Sequence, residues 1–475
     1  MKPTTLTRRE LLRAVGVGLG AAAVPRALRA DAPDGGKRPP NIVLILTDDL
    51  GWGDPRCYGH PYIKTPNLDR LAKQGTMFTQ FYVNNPVCSP SRTAFMTGHF
   101  PARHRVHQHF ARPEQNRARG MPNWLDADVA TVTDVLRRCG YATAHFGKWH
   151  LCGGWSKDAP TPAAYGIDEH RTVNSSGPGF KQQKDPYFRA RSTGLFVDEA
   201  LRFIEKHKDR PFYVNLWTLV PHATLKPTPE ELKVYERLTV DKDVFKGYMR
   251  KYAAGAPKLD AQMRVYAAAV TGMDKAIGRL LDELDRMRLS DDTLVFFTSD
   301  NGPEDYHVRN ARNAGMGSPG PFRGRKRSIY EGGVRTSCIV RWPGHVPAGR
   351  VDEQSVITGV DFLPTMCKLA GAEMPDIKPD GEDVSDMLTG KTRPRRKPIL
   401  WEWRGGIAGD QTYRPPSLAI REGNWKLLVK PDGSGAELYD IPRDPAEGAN
   451  LADKHPEVAR RLGQRVLAWK KALPK

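Results

Sequence analysis

Two pairs of polar side chains follow two apolar runs of the sequence. Asp48 and Asp49 come after the run IVLIL, and Asp300 and Asn301 come after the run LVFF. Either pair alone is also typical of a helix cap or a turn, but two such pairs after two strand-like runs favour a metal site. Three carboxylates and an amide oxygen suit one hard divalent cation, for which we favour Ca²⁺ over Mg²⁺. Zinc is disfavoured because no cysteine or histidine cluster has zinc-ligand spacing.

Basic side chains form the second group of residues that could take part in a reaction. Five of them lie in short motifs next to predicted strands or turns: Arg92, Lys148, His150, His222 and Lys326. Taken singly, a lysine or arginine is commonly a solvated surface charge, and a histidine at a strand end is commonly a capping or core residue. Taken together, they are the donors that a tetrahedral oxyanion and its transition state require.

A cysteine stands in the turn-rich stretch VCSPSRTAFMTG. This residue, Cys88, lies two positions before Pro90 and four before Arg92. Its thiol could form a disulfide, bind a metal, act as a nucleophile or be modified. The six cysteines of the chain show no CxxC spacing. Three of the others lie in apolar segments, where we expect buried free thiols: Cys139, Cys338 and Cys367.

The elements that position these groups alternate along the chain. Apolar runs typical of buried strands occupy residues 42–46, 141–146, 212–220, 294–297 and 337–344. Helix-like segments occupy residues 65–75, 131–139 and 261–287. This alternation predicts an α/β fold with a central, mostly parallel sheet flanked by helices. Ligands of such sheets bind beyond the carboxyl ends of the strands, where the polar groups above are expected to meet.

The pattern changes after about residue 375. Short strands, some with alternating polarity, are followed by a closing helix at residues 455–473. We therefore expect a catalytic domain at residues 33–375. A smaller C-terminal α+β subdomain, a short antiparallel sheet plus a helix, is expected at residues 376–475.

The overall charge is strongly basic. The 475 residues include 73 Lys and Arg against 54 Asp and Glu, a net charge of +19. No basic helix with interleaved aromatic residues and no nucleic-acid-binding module is recognisable. We therefore expect no nucleic-acid partner, and the charge instead suits an anionic substrate.

The N-terminal residues 1–32 have the features of an export signal. The stretch TRRELL is typical of a twin-arginine signal, and an apolar run and small residues near Ala30 and Ala32 follow it. The alternative is a short membrane anchor. The apolar run at residues 14–24 is too short to span a membrane comfortably, so we expect a cleaved or loosely tethered signal and no stable span. We expect an exported protein, periplasmic or else extracellular or membrane-tethered.

The stretch around Cys88 resembles a known signature. CSPSRTAFMTG matches C-x-P-S-R-x-x-x-x-T-G, the motif of the type I, formylglycine-dependent sulfatases of the alkaline-phosphatase-like superfamily. Further blocks resemble the family in family order, among them NIVLILTDDLGWGD, GYATAHFGKWHL, SDNG, FRGRKRSIYEGGVRTSCIVRWPG and GNWKLLV. The series covers nearly the whole chain after the signal. It implies an alkaline-phosphatase-like fold and a sulfuric ester hydrolase of the arylsulfatase or carbohydrate sulfatase type.

The resemblance also implies what becomes of the thiol. In this family a maturation enzyme oxidises the motif cysteine to formylglycine, and it is expected to read Pro90 and Arg92 here. Cys88 would then be an aldehyde whose hydrate offers two hydroxyl groups. One hydroxyl attacks the sulfur of the ester and forms a covalent sulfo-enzyme, and the other expels sulfate.

The family's site residues carry over position by position. The metal ligands would be Asp48, Asp49, Asp300, Asn301 and an oxygen of modified Cys88. Arg92 would hold the formylglycine oxygens, and Lys148 and Lys326 would contact the sulfate. His150 would deprotonate the second hydroxyl. His222 would contact the ester and, with Lys326, protonate the leaving group. Asp300 would also assist the attacking hydroxyl.

Two matters stay open from the sequence. Lys326 lies between Arg325 and Arg327, so this assignment could shift by one residue. The pocket walls are expected in residues 153–184 and 224–257, which contain basic and aromatic side chains: Trp155, Tyr165, His170, Lys181 and Lys226. These side chains suit a sulfated carbohydrate as the substrate. The alternative is an ordinary basic surface around an aryl-sulfate pocket.

Two other functions compete with this hypothesis. One is a phosphonate or phosphate ester hydrolase of the same superfamily, which a second metal site would favour. The other is a non-catalytic relative that binds sulfated glycans, in which Cys88 would stay a thiol. The sequence predicts no oligomeric state.

Overall fold

Strand β1 (Asn41–Asp48) is buried at every residue, as its continuous apolar run predicts. Its side chains alternate between the two faces of the sheet because a strand has a two-residue period. Leu44 belongs to one hydrophobic core, and Val43 and Ile45 belong to the other. The computed structural model describes residues 38–154, 156 and 158–474, which lie in one compact unit. The export signal expected at residues 1–32 lies outside these described residues.

The described strands form two sheets. After β1 they are β2 (Thr76–Tyr82), β3 (Ala142–Lys148), β4 (Glu169–Val173), β5 (Phe212–Pro221), β6 (Thr293–Ser299), β7 (Arg335–Arg341), β8 (Arg350–Asp352), β9 (Ile357–Thr358), β10 (Ile399–Glu402), β11 (Leu418–Glu422), β12 (Trp425–Val429) and β13 (Glu437–Asp440). The main sheet has the order β4-β3-β5-β1-β6-β7-β2-β8, and β9 also pairs with β2. From β4 to β6 the strands are parallel, whereas β7 is antiparallel to both β6 and β2. The predicted mostly parallel sheet is confirmed.

Helices cover both faces of the main sheet. The described α-helices are α1 (Pro66–Gln74), α2 (Cys88–Thr97), α3 (Pro113–Ala118), α4 (Val132–Arg138), α5 (Phe188–His207), α6 (Pro229–Lys233), α7 (Gly247–Gly255), α8 (Leu259–Arg286), α9 (Glu331–Val334), α10 (Phe362–Ala370), α11 (Ser385–Leu388) and α12 (Pro456–Ala472). Apolar residues of α1, α5 and α8 share a core with Val43, and those of α2, α4 and α10 share the core of Leu44. The sheet is thus the middle layer of three.

The C-terminal sheet is antiparallel, with the order β10-β11-β12-β13, and α12 packs against β11 and β12. Its apolar side chains join the core that contains Leu44. Lys426 is fully buried, with Nζ 2.9 Å from a carboxylate oxygen of Glu331 and 2.9 Å from one of Glu447. The predicted C-terminal sheet and helix are confirmed, and the domain boundary at residue 375 stays a prediction.

The six cysteines, all within the described part of the chain, are free thiols. Cys338 and Cys367 are buried, as expected. The expectation for Cys139 was wrong, because this residue caps the C-terminal end of α4 and is exposed where the chain turns at Gly140. Among the helices that the structure describes, none has the length and apolarity needed to cross a membrane.

Candidate active site

The two polar pairs meet because their strands are neighbours. β1 and β6 are parallel, and Thr47 lies opposite Ser299, so both pairs leave the carboxyl edge of the sheet side by side. The backbone N–H of Asp49 donates to Oδ1 of Asp300 at 3.2 Å. Nδ2 of Asn301 donates to Oδ1 of Asp49 at 2.7 Å.

This acidic cluster fits a divalent cation. Asp48, Cys88 and Asp300 each offer one ligand atom, and these atoms lie within 4.8 Å of one another. Oδ1 of Asn301 is buried and accepts no hydrogen bond from any residue that the structure describes. Buried acceptors normally have a donor, so an unpartnered amide oxygen beside converging carboxylates suits a hard metal ion.

The buried carboxylates differ in their protonation. Burial alone would raise the pKa of Asp48, but Lys148, His222 and Arg92 hold it well below its ordinary value. Burial raises the pKa of Asp300 to about 8, and Arg92 offsets this only in part. A cation between these carboxylates would favour the ionised form of both.

Cys88 is the first residue of α2 and is only 3% exposed. Its Sγ lies 3.2 Å from Nδ1 of His150, and Nε2 of the same ring lies 3.1 Å from the carbonyl oxygen of Phe110. Because a carbonyl can only accept, Nε2 carries the ring proton and Nδ1 faces Cys88 as an acceptor. Burial, followed by the charges of Lys148 and Arg92, holds the pKa of His150 well below its ordinary value. The ring is therefore neutral and can accept a proton.

Arg92 lies one helical turn after Cys88 and is fully buried. Its Nε and Nη2 donate to Oδ2 of Asp300 at 3.0 and 2.7 Å. Nη1 donates to the backbone oxygen of Lys148 at 2.7 Å, and the guanidinium carbon lies 5.1 Å from the ring centroid of Trp217. Arg92 thereby fixes α2 to the ends of β3 and β6.

Two lysines neutralise the acidic cluster from different sides. Nζ of Lys148 lies 2.9 and 2.7 Å from the two carboxylate oxygens of Asp48. Nζ of Lys326 lies 2.6 Å from Oδ2 of Asp49 and 3.4 Å from Oε2 of Glu304. Burial opposes protonation, but Asp49 and Glu304 raise the pKa of Lys326 above its ordinary range. Both ammonium groups are positioned to stabilise an anionic group at the cluster.

The structure also separates Lys326 from its basic neighbours. Arg325 turns away and donates to backbone carbonyl oxygens of the preceding loop, including that of Glu304 at 2.8 and 3.0 Å. Arg327 forms an ion pair with the Glu304 carboxylate. Of these three basic side chains, Lys326 is the one that contacts Asp49.

His222 follows β5 and lies on the open side of the site, with 30% of its side chain exposed. Its Nδ1 lies 2.7 Å from the carbonyl oxygen of Ala223, so Nδ1 carries the proton. Nε2 faces the cluster at 3.7 Å from Oδ2 of Asp49. Although the ring is partly exposed, burial and then Lys326 lower its pKa to about 4. The exposed side of this ring marks where a substrate would enter.

Three contributors to the site were missed by the sequence reasoning. Glu304 holds Lys326 and Arg327, and its position four residues after Asp300 could have indicated a role. The Phe110 carbonyl that orients His150 carries no sequence signal, because any residue has a carbonyl. The Trp217 ring beneath Arg92 carries none either, because it reads as an ordinary core residue of β5.

The fold and the site are those expected of a hydrolase that acts on an anionic ester, with acidic groups that could hold a metal ion. The family model described as Sulfatase matches residues 40–372, and the one described as N-sulphoglucosamine sulphohydrolase, C-terminal, matches residues 322–472. The chain is 31% identical over 500 residues to arylsulfatase A of Homo sapiens, covering 96% of this chain and 90% of that protein. It is 34% identical over 482 residues to N-acetylgalactosamine-6-sulfatase of Canis lupus familiaris, covering 92% and 84%.

A solved structure shares the fold. The crystal structure of Ps i-CgsB in complex with k-i-k-neocarrahexaose aligns with a TM-score of 0.73 at 26% identity, covering 91% of this chain and 93% of that one. The chain therefore belongs to the sulfatase family, has the alkaline-phosphatase-like fold and is a sulfuric ester hydrolase. The family predicted from the Cys88 motif is confirmed.

Proposed function

We propose that this sulfatase removes sulfate from a sulfated carbohydrate and that its nucleophile is a formylglycine hydrate made from Cys88. The observation that carries the proposal is the surroundings of this one thiol. Cys88 forms no disulfide, lies against the acceptor nitrogen of His150, and shares a possible cation site with Asp48 and Asp300.

Maturation is expected to precede folding. Cys88 is almost completely buried, and the residues after it in α2, including Pro90 and Arg92, are buried as well. A maturation enzyme could not reach the thiol in the folded chain. We propose that this partner reads Cys88, Pro90 and Arg92 while the segment is still extended.

Ester cleavage would begin at residue 88. One hydroxyl oxygen of the hydrate forms a bond to sulfur, and the bond between sulfur and the carbohydrate oxygen breaks with its electron pair going to that oxygen. Arg92 orients the hydrate oxygens, and Asp300 accepts the proton of the attacking hydroxyl. Lys148 and Lys326 bind the sulfate oxygens and compensate the charge that develops on them.

The leaving oxygen needs a proton. Lys326 is positioned to supply it, because its ammonium Nζ approaches Oδ2 of Asp49. Nε2 of His222 approaches the same oxygen, and His222 would share this role once the anionic sulfate group beside the ring favours its doubly protonated form. His222 is partly exposed, so the carbohydrate that leaves would lie on its open side.

Sulfate release would use the second hydroxyl. His150 accepts its proton at Nδ1, the carbon–oxygen double bond of the aldehyde forms, and the bond from that carbon to the sulfate oxygen breaks. Water then adds to the aldehyde and restores the hydrate. The sum is sulfate ester plus water giving alcohol plus hydrogen sulfate, so no water has to attack sulfur.

We assign one divalent cation to the acidic cluster, Ca²⁺ ahead of Mg²⁺. Its ligands would be Asp48, Asp49, Asp300, Asn301 and an oxygen of modified residue 88. When bound, the ion would polarise a sulfate oxygen and favour ionisation of the hydrate. The oxygen ligands and the unpartnered Asn301 amide oxygen support this assignment.

A sulfated carbohydrate is the substrate class that we favour. The relative of 34% identity is named N-acetylgalactosamine-6-sulfatase, and the net charge of +19 suits a polyanion. The sequence-based pocket walls need one correction. Tyr165 is fully buried, with its ring packed on Trp149, because it belongs to the core under β3 rather than to the pocket. Trp155 lies outside the described residues.

We also propose export to the periplasm through a twin-arginine-type signal at residues 1–32. As a general property, that route carries folded proteins, and Cys88 is buried in the folded chain. Oxidation of Cys88 would therefore occur in the cytoplasm. Blocking export and finding only the thiol form in the cytoplasmic pool would contradict this order.

The competing functions receive less support. A second metal position would favour a phosphate or phosphonate ester hydrolase, but the two possible ligand groups found in the described part of the chain share Asp48. A non-catalytic glycan-binding protein would have no use for a neutral His150 facing Cys88.

The test compares esters on matured protein. We expect release of sulfate from 4-nitrophenyl sulfate and from a sulfated polysaccharide, with far slower hydrolysis of 4-nitrophenyl phosphate. The Cys88→Ala variant is the matched control and should be inactive on all three. Faster hydrolysis of the phosphate would favour the phosphate hydrolase, and an inactive protein with fully matured Cys88 would contradict the proposed activity.

A further inference from the structure

A cavity lies outside the catalytic cluster. It has a volume of about 440 Å³, within the range of small-molecule sites. Four tyrosines line it, which come from α7, from the loop after β6 and from the segment 404–413 of the C-terminal region: Tyr248, Tyr252, Tyr306 and Tyr413. We call it the tyrosine-lined cavity.

The rings of this cavity are held in place by the surrounding protein. Tyr252 and Tyr306 pack with ring centroids 4.4 Å apart, and the Arg325 guanidinium lies 3.8 Å from the Tyr252 ring centroid. Tyr413 donates a hydrogen bond to Asp305. Tyr248 is half-buried and lines the same cavity. The cavity therefore has a fixed aromatic wall, to which the partly exposed Tyr248 ring adds a further aromatic face.

The polar rim complements the aromatic wall. Lys251 and Asp410 lie 3.5 Å apart at the rim, and His307 pairs with Asp305 at 2.7 Å. Aromatic faces next to hydroxyl, carboxylate and ammonium groups suit a ligand with C–H faces and hydroxyl edges. A sugar ring has both, because its C–H face packs on an aromatic ring while its hydroxyls take hydrogen bonds at the edge.

The cavity and the catalytic cluster share one wall. Glu304 contacts Lys326 on the catalytic side, whereas the next residue, Asp305, contacts Tyr413 on the cavity side. In the same way, Lys326 contacts Asp49, whereas the preceding residue, Arg325, lines the cavity.

The segment 404–413 runs from one site towards the other. Gly405 packs against Gln108, with the side-chain Nε2 of Gln108 2.9 Å from where a Cβ would lie, and Gly409 packs more closely still against the His307 ring. Next to Gln108 is His109, whose ring centroid lies 6.3 Å from that of His150. Four residues of extended chain span at most about 14 Å. Because Sγ of Cys88 lies 3.2 Å from Nδ1 of His150, this segment links the cavity to the surroundings of residue 88.

We propose that the tyrosine-lined cavity binds a sugar unit of the substrate chain, a few units away from the sulfated unit that reacts. The inference rests on the proposed carbohydrate substrate. It gives the enzyme a way to prefer an oligosaccharide over a small aryl sulfate, which fills only the catalytic pocket.

The test uses Tyr248→Ala, with Tyr248→Phe as the conservative control that keeps the ring. Full-length matured proteins are run in native gels that contain chondroitin 6-sulfate, heparin or carrageenan. All variants have the same charge, so non-specific attraction to the polyanion is constant. We expect Y248A to bind at least one polysaccharide about three- to tenfold more weakly than wild type, and Y248F to bind like wild type. The kcat/KM for 4-nitrophenyl sulfate should be unchanged in both.

Equal migration of wild type and Y248A in all three gels would overturn the proposal. So would weaker binding by Y248A that is matched by an equal loss of 4-nitrophenyl sulfate activity, because the effect of Tyr248 would then not be confined to the longer chain. A different result would contradict the carbohydrate substrate instead: Tyr248-dependent binding with no release of sulfate from any of the three polysaccharides. The two proposals can therefore fail separately.

Discussion

Substitution of Lys326 tests the arrangement of the site most sharply among single changes. Nζ of this buried lysine lies 2.6 Å from Oδ2 of Asp49 and 3.4 Å from Oε2 of Glu304. Lys326→Met keeps the length of the side chain and removes its charge. The matched control is Arg327→Met, which removes the next basic residue and leaves Lys326 in contact with both carboxylates.

The size of the effect follows from the contacts. Removing one partner of a buried ion pair costs about 3–5 kcal/mol of stability, and the low end is expected because Arg327 still pairs with Glu304 and Asn301 still donates to Asp49. Loss of a donor that stabilises developing negative charge lowers kcat by roughly 10²–10³. For R327M we expect a loss below about tenfold, because Arg327 contacts Glu304 and not the acidic cluster.

The assay is steady-state hydrolysis of 4-nitrophenyl sulfate by preparations with matched formylglycine content. Thermal unfolding of the same samples separates catalytic from structural loss. If R327M lost more kcat/KM than K326M in folded protein, the placement of Lys326 at the reacting group would be wrong.

Three further predictions follow from the same contacts. Dialysis against a chelator should abolish sulfatase activity, and added Ca²⁺ should restore it. At a Ca²⁺ concentration 100 times its Kd, the free energy of unfolding should rise by about 2.7 kcal/mol. No change in melting temperature on adding Ca²⁺ would contradict the metal site. His150→Ala should slow sulfate release by at least about 10², giving a burst of one alcohol per enzyme, whereas loss without a burst would place His150 in ester cleavage. Lys426→Met should destabilise the chain by about 3–5 kcal/mol, because it leaves the Glu331 and Glu447 carboxylates buried without the ammonium group that they share. Unfolding in denaturant measures this loss. An unchanged unfolding midpoint would show that this buried ion-pair cluster does not stabilise the fold.

Much of the fold was predictable because its strands are local patterns. The run before Asp48 and the run before Asp300 are long and apolar, which is what a strand buried on both faces requires. The parallel register then brings the polar pairs together without further information. The antiparallel direction of β7 was not predictable, since an apolar run does not reveal which way its neighbour points.

The remaining details depend on contacts between distant segments. Nothing local distinguishes Lys326 from Arg325 and Arg327, and only the Glu304 loop sends the three side chains in different directions. Tyr165 reads as a loop aromatic but packs in the core on Trp149. The tyrosine-lined cavity needs three separate segments and therefore leaves no signature in any one of them.

The central claim is that residue 88 acts as formylglycine, and the mass of the peptide that contains it tests this most directly. The protein should be purified from its own host, assayed for sulfatase activity and then digested. The account predicts the aldehyde or its hydrate at position 88 in the active preparation. An active preparation in which residue 88 is a cysteine at full occupancy would contradict the mechanism.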